Sequence, residues 1–325
     1  MHRSMKILML VSGAALFACG GSVGIGVGGA GVAVGAGAST GKAASMSKAE
    51  HRKDVDEWFA GRIQRLHSET GWLTLVGLFQ LPEGTHTFGG ADDNEMVFAG
   101  DAPAHAGTIT VAGGSAHLEV AKGVTMTHEG TPVTSIDMVA DSGDSGNPTE
   151  IRMGTYDFYV IERQKNLYLR VKDSNSEVLR EFKGIERYPV DMKWRVAAHL
   201  DPYDPPRRLT IPNVLGFDEV VDCHGALVFE FDGQEYRLEP MSEGDGEMFI
   251  VFGDATSGQE TYGGGRFVYV ESPDENGNTY IDFNRAYNPP CVFTPYATCP
   301  LPHRENILPF RIEAGEKNWE HVPAH

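Results

Sequence analysis

The chain has 325 residues, with 45 Asp or Glu against 27 Lys or Arg, a formal charge of -18 at pH 7. That acidic excess repels phosphate backbones and anionic headgroups, which excludes nucleic acid as a partner. Hydrophobic residues make up 41% of the sequence, enough to fill two modest cores once the N-terminal region is set aside.

His2, Arg3 and Lys6 make a positively charged start. The run from Ile7 to Phe17 is apolar or small, and too short to span a bilayer. Leu16-Phe17-Ala18-Cys19 then resembles the lipobox of bacterial lipoproteins. The resemblance implies a signal peptide over 1–18, cleavage before Cys19, and lipidation of Cys19. It places the mature protein in the bacterial cell envelope, with the membrane as a partner through the lipid anchor. Several acyl chains hold stably where one does not. Gly20 rather than Asp follows the cysteine, which by analogy with lipoprotein sorting points to the outer membrane. An ordinary secretory signal with a chance cysteine is the alternative. Residues 19–45 are rich in Gly and Ala. They read as a flexible tether with a mean reach of about 25–30 Å.

A helix is expected from near Ser47, because Ser47 and Glu50 have capping-box spacing. Val55, Trp58, Phe59, Ile63 and Leu66 recur on one helical face, and Gly71 closes the element. This helix and a connecting segment take up 46–80. The remaining chain reads as mainly β, with β-branched and aromatic runs separated by Gly, Asn, Asp and Pro clusters. Asn276-Gly277 sits between two such runs, as in a tight hairpin. The expected order is an N-terminal helix, a β sandwich over 81–173, and a second antiparallel β domain over 174–320. No second convincing helix is visible.

The first β region carries a resemblance. Leu81-Pro82-Glu83-Gly84, His86-Thr87-Phe88-Gly89-Gly90 and the run Asp92 to Phe98 come first. Ala104-His105-Ala106-Gly107, Gly130 and Gly154-Thr155-Tyr156-Asp157-Phe158 come after them. This order is similar to a forkhead-associated domain, an eleven-stranded sandwich that binds phosphothreonine. The binding residues do not carry over. The family's arginine falls at Gly90, its serine at Ala102 and its asparagine near Glu129. The resemblance therefore implies the sandwich without the phosphopeptide activity.

A broader resemblance rests on GWLTLVGLFQL at 71–81, DATSGQETYGGGRFVYV at 254–270, DFNRAYNPPCVFTPYATCPLPHREN at 282–306 and EAGE at 313–316. These strings are similar to an uncharacterised bacterial family, domain of unknown function 1684, over about Trp58 to Lys317. The family implies no activity.

Most chemical motifs fail on inspection. Gly143-Asp144-Ser145-Gly146 and Val196-Ala197-Ala198-His199 resemble protease segments, but in the wrong order and with Ser145 in a loop. Asp141, Asp144, Asn147 and Glu150 lack the spacing of a calcium loop. His128-Glu129 opens like a zinc-protease motif, but Pro132 stands where its second histidine belongs. No cofactor or metal is expected. After Cys19 the cysteines are Cys223, Cys291 and Cys299. A disulfide joining Cys291 to Cys299 suits an oxidising compartment and leaves Cys223 over.

The segment from Asp254 to Glu316 differs in kind. Asp254, Tyr262, Arg266, Asp282, Asn284, Tyr287, Tyr296 and Glu316 gather polar groups of unlike chemistry among apolar strands and a proline-rich loop. They are the candidates for binding a small-molecule or carbohydrate-like ligand. A structural knot, in which they satisfy loop backbone, is the competing reading. The function expected is a non-catalytic binding or structural module of the envelope. The alternative is a hydrolase using Asp254, Asp282 or Glu316 as acid and base. For the anchor, Cys19→Ser should abolish palmitate labelling and release the mature protein from membranes; undiminished labelling of the variant would refute lipidation at this residue.

Overall fold

A computed structural model describes residues 46–141, 147–244 and 246–319. Cys19, the tether, Asp144 and Ser145 lie outside the described residues. The chain is mainly β, with antiparallel sheets behind an N-terminal helix.

Helix α1 spans Lys48–Leu66. Its capping box forms as the spacing predicts: Ser47 Oγ accepts from the Glu50 amide at 3.2 Å, and Glu50 Oε2 accepts from the Ser47 amide at 2.9 Å. The inner stripe differs from expectation. His51, Val55, Arg62 and Leu66 are buried, while Trp58, Phe59 and Ile63 are half-buried on its flank. Two of the four inward positions are polar, so apolar periodicity alone could not find this face.

The first half carries β1 (Leu75–Leu81), β2 (Gly84–Gly89), β3 (Met96–Val97), β4 (Gly107–Ala112), β5 (Ser115–Val120) and β6 (Met126–His128). It continues with β7 (Thr131–Val133), β8 (Ser135–Met138), β9 (Ile151–Met153), β10 (Tyr156–Arg163) and β11 (Asn166–Asp173). One sheet runs β1-β11-β10-β9-β6-β7 and the other β3-β2-β4-β5-β8. Alternation sends Ile109, Leu118, Phe158 and Leu169 into a shared core. Phe88 meets Phe158 edge-on at 5.4 Å and Phe98 at 5.3 Å. Gly107 opens β4 against this cluster, where a Cβ would lie 3.1 Å from the Phe88 ring. The first sheet takes in Leu75–Leu81, ahead of the boundary expected at 81, because β1 pairs with β11.

A short helix, α2 (Glu177–Glu181), comes next and is capped by Ser176 Oγ. It is too brief to show a periodic stripe, so the sequence gives no sign of a second helix. The second half holds β12 (Arg195–Pro212), β13 (Asp218–Phe231), β14 (Gln234–Leu238), β15 (Ser242–Gly244), β16 (Glu247–Phe252), β17 (Arg266–Glu271) and β18 (Asn278–Asp282). Its sheets run β14-β13-β12-β18 and β15-β16-β17. Between them lie Trp194, Leu227, Phe229, Ile250, Phe252, Val268 and Ile281. The Asn276-Gly277 turn forms, with Gly277 at φ +83°. It does not close a hairpin ladder: β17 pairs with β16, and β18 crosses to β12.

β12 and β13 make a long ribbon whose pairing shifts between Pro202 and Arg207. Beyond the shift, Leu209, Ile211 and Cys223 are buried with Leu75 of the first half and Phe267 of β17. The two halves therefore share a core. Replacing Phe158, fully buried between the sandwich sheets, with Ala should lower the unfolding free energy by about 3–5 kcal/mol, read from urea denaturation.

Candidate functional site

Arg266 opens β17 and has no exposed surface. Its Nη2 donates to Asp254 Oδ1 at 3.2 Å and to the Ile312 carbonyl at 2.9 Å. Its Nη1 donates to the Ala314 carbonyl. Asp254 is saturated on its other side, where Oδ2 accepts from the Ile312 amide at 2.7 Å and from the Thr256 amide at 3.2 Å. Burial pulls the guanidinium below its ordinary range, and the Asp254 charge opposes that pull. These contacts stitch the C-terminal segment, which has no ladder of its own, onto β17.

Glu316 is tied in the same way. Its Oε1 accepts from Arg62 Nε at 3.0 Å and its Oε2 from the Asn288 amide at 2.7 Å. Arg62 also donates to the Asn288 carbonyl at 2.8 Å and lies 4.5 Å over the Tyr287 ring. Tyr287 is enclosed by Trp58, Phe267 and Tyr269, and burial pushes its phenol well up. Asp282 Oδ2 bonds His51 Nε2 at 2.7 Å, while its Oδ1 accepts from Asn284 Nδ2 at 2.8 Å. Asn284 in turn brackets the backbone of Asp191.

Six of the eight candidates, namely Asp254, Arg266, Asp282, Asn284, Tyr287 and Glu316, thus belong to a lattice that joins α1, β17, β18 and the C-terminal segment. Among the described residues it encloses no open cleft with carboxylates face to face. Sequence reading missed the two helix residues that complete it, His51 and Arg62. The available signal was their spacing: both fall in line with Val55 and Leu66 on α1.

Tyr262 and Tyr296 stand apart from the lattice. Tyr296 belongs to the proline-rich loop and lines a cleft of about 1130 Å³ between the sandwich and that loop. The sandwich contributes Gly100, Met153, Tyr156 and Asp173; α2 and its flank contribute Val178 and Arg180; the loop contributes Val292 and Phe293. The Tyr156 hydroxyl donates to the Ala99 carbonyl at 2.6 Å, and burial raises its phenol. Asp173 is buried, with Oδ1 on the Asn175 amide at 2.9 Å. The loop is held to the sandwich by Thr294, whose hydroxyl donates to the Leu75 carbonyl at 2.9 Å.

Cys291 also lines this cleft. The bridge expected between Cys291 and Cys299 is not formed in the structure, where both are free thiols. They are nonetheless neighbours: the Cys291 amide donates to Cys299 Sγ at 3.2 Å. The spacing of eight residues was enough to suggest that they meet, but not their oxidation state.

Residues 180–317 match the family model described as a protein of unknown function (DUF1684). The matched segment spans the whole buried lattice except its α1 partners, and it includes the cysteine pair. None of the curated proteins matches the chain. Among solved structures, a solution NMR structure of an uncharacterized protein from Haloarcula marismortui is 27% identical, with a TM-score of 0.36, covering 42% of this chain and 78% of that one.

Removing one member of a buried ion pair strands the other charge, so Arg266→Met should cost about 3–5 kcal/mol of stability. In a double-mutant cycle with Asp254→Ala, the combined loss should fall below the sum of the single losses by at least about 0.5 kcal/mol. Additive losses in chemical denaturation would mean that the two side chains do not act as a unit.

Proposed function

We propose that the chain is a lipid-tethered binding protein of the bacterial cell envelope, anchored through Cys19 at the outer membrane, whose small-molecule ligand occupies the cleft rather than the polar lattice. The observation that carries this reading is the cleft itself. Both halves of the chain build it, and its volume of about 1130 Å³ lies just above the ~300–1,000 Å³ of small-molecule sites. Apolar Val178, Val292 and Met153 share its walls with Asp173, Arg180 and Tyr296. Such a lining suits an amphipathic organic molecule with a flat or sugar-like part against the tyrosine and a polar group near the charges.

Hydrolysis by Asp254, Asp282 or Glu316 has less support. Each carboxylate accepts from an arginine, histidine or amide partner, which leaves little freedom to move a proton to substrate. The lattice serves instead to hold the proline-rich loop and the C-terminal segment in place.

The first half supports a sandwich of forkhead-associated shape, with its eleven described strands split six and five about one core. Its phosphate grip is missing. A Cβ at Gly90 would lie 2.6 Å from the Ala102 carbonyl, and Glu129 is a turn residue at φ +49°. In this reading the sandwich is a wall of the cleft rather than a phosphopeptide reader.

Anilinonaphthalene sulfonate, an amphipathic dye, should fluoresce on binding the folded protein. Val292→Trp on the proline-rich loop and Val178→Trp on α2, both lining the cleft, should each weaken dye binding about tenfold, a loss of ~1.4 kcal/mol, while melting near the wild-type temperature. Equal dye affinity in well-folded versions of both variants would remove the cleft from consideration.

A further inference from the structure

The proline-rich loop brings two sulfurs to the cleft wall in unlike settings. Cys291 is half-buried and faces the cleft. Cys299 lies behind it, 4% exposed, with Sγ accepting from the Cys291 amide at 3.2 Å. Cys299 and Tyr262 both act on the Cys291 thiol to hold it below its ordinary range. Cys223 shares the same apolar cluster but is 1% exposed, and its thiol donates to the Gly225 carbonyl at 3.1 Å.

A second feature points to negative charge at this place. Arg170 of β11 is 5% exposed, and its Nη2 hydrogen-bonds only Thr298 Oγ1, at 3.3 Å, beside Cys299. Its Nε is buried without a hydrogen-bond partner. Among the described residues no carboxylate pairs with it. A buried guanidinium without an anion is costly unless something nearby takes up negative charge. Apart from the Trp72 ring, which its guanidinium overlies at 5.7 Å, Cys299 is a nearby group able to do so, and the Arg170 charge acts to lower that thiol.

We propose that Cys291 and Cys299 form a thiol–disulfide exchange site opening on the cleft, in which Cys291 attacks small organic disulfides and Cys299 resolves the product. The Cys291 thiolate attacks one sulfur of R–S–S–R. That bond breaks, its electron pair leaves with one RS⁻, and RS⁻ takes a proton from water. Cys291 now carries the R–S group. Cys299 gives its proton to water and attacks the Cys291 sulfur, releasing the second RS⁻. The protein dithiol loses two electrons and two protons, and the substrate becomes two thiols.

The environment assigns the order of attack. Hydrogen bonds from Cys299 and Tyr262 lower the Cys291 thiol below the ordinary cysteine range, while the Cys291 charge and burial push Cys299 up. Cys291 therefore ionises first, and it is the sulfur that the cleft exposes. Arg170, beside Cys299, offsets the charge that develops there during resolution. None of this requires a resident ligand, so dye binding and thiol exchange can fail separately.

The reduced full chain is treated with oxidised glutathione near neutral pH, acid-quenched, and read by mass spectrometry of its cysteine peptides. Wild type should end with Cys291 and Cys299 linked and no glutathione retained. Cys299→Ser should keep one glutathionyl group on Cys291. Cys291→Ser should react at least about tenfold more slowly at Cys299. Tyr262→Phe, which keeps the ring, should slow the first step severalfold without lowering the melting temperature. Wild type that stays reduced overturns the proposal, as does an adduct appearing first on Cys299 or Cys223, or a Cys291→Ser variant that reacts as fast as wild type. Should Cys299→Ser fold poorly, the Tyr262→Phe rate decides in its place, and an unchanged rate counts against the site.

Discussion

Arg266 carries a full charge into a place with no exposed surface, and the second half of the chain is organised around satisfying it. A guanidinium has five donors in a rigid plane, so it accepts only an environment that presents acceptors in matching directions. Asp254 supplies one, and the carbonyls of Ile312 and Ala314 supply others, while Nε stays buried without a partner. Those carbonyls belong to a segment that forms no strand ladder. Without Arg266 they would be buried acceptors lacking donors. The same side chain thus stabilises the segment and is stabilised by it. The Arg62–Glu316 pair repeats the arrangement one layer outward, where it fastens α1.

The features legible in the sequence are those set by near neighbours. Ser47 and Glu50 stand three residues apart, and the capping box they form needs nothing else. The alternation of β4 and β5 sorts Ile109 and Leu118 inward without reference to any distant residue. The turn at Gly277 is likewise local, yet the partner of β18 is not. Its ladder to β12 is chosen by packing some eighty residues away, so the hairpin suggested by Asn276-Gly277 does not close. The polar cluster was visible as a cluster, since Asp254, Arg266 and Glu316 are unlike their apolar surroundings. What such residues do depends on whether water reaches them, and that was decided by His51 and Arg62 arriving from α1.

The cleft shows the same limit from the other side. Its walls come from β9, β10, β11, α2 and the proline-rich loop, and of these only the loop is unusual in composition. Met153 and Val292 look like ordinary core residues, and Asp173 like an ordinary strand end. Only the docking of one half on the other, through Leu75, Phe267 and the outer part of the β12–β13 ribbon, turns them toward a common space. The loop takes its rigidity from proline, and its position from contacts to both halves, among them the Thr294 hydroxyl on Leu75 and the Leu301 amide on Pro212.

The pairing of Arg62 with Glu316 joins residues 254 positions apart. Its consequence concerns time rather than geometry. As the chain emerges from a ribosome, the sandwich has all its strands once Asp173 is out. The inner face of α1 does not, because its arginine must wait for nearly the whole remaining sequence. Until then α1 can only hold its local capping box while its buried stripe stays wet. The contact between α1 and the C-terminal segment therefore closes late, with entropy lost over a long loop before it forms.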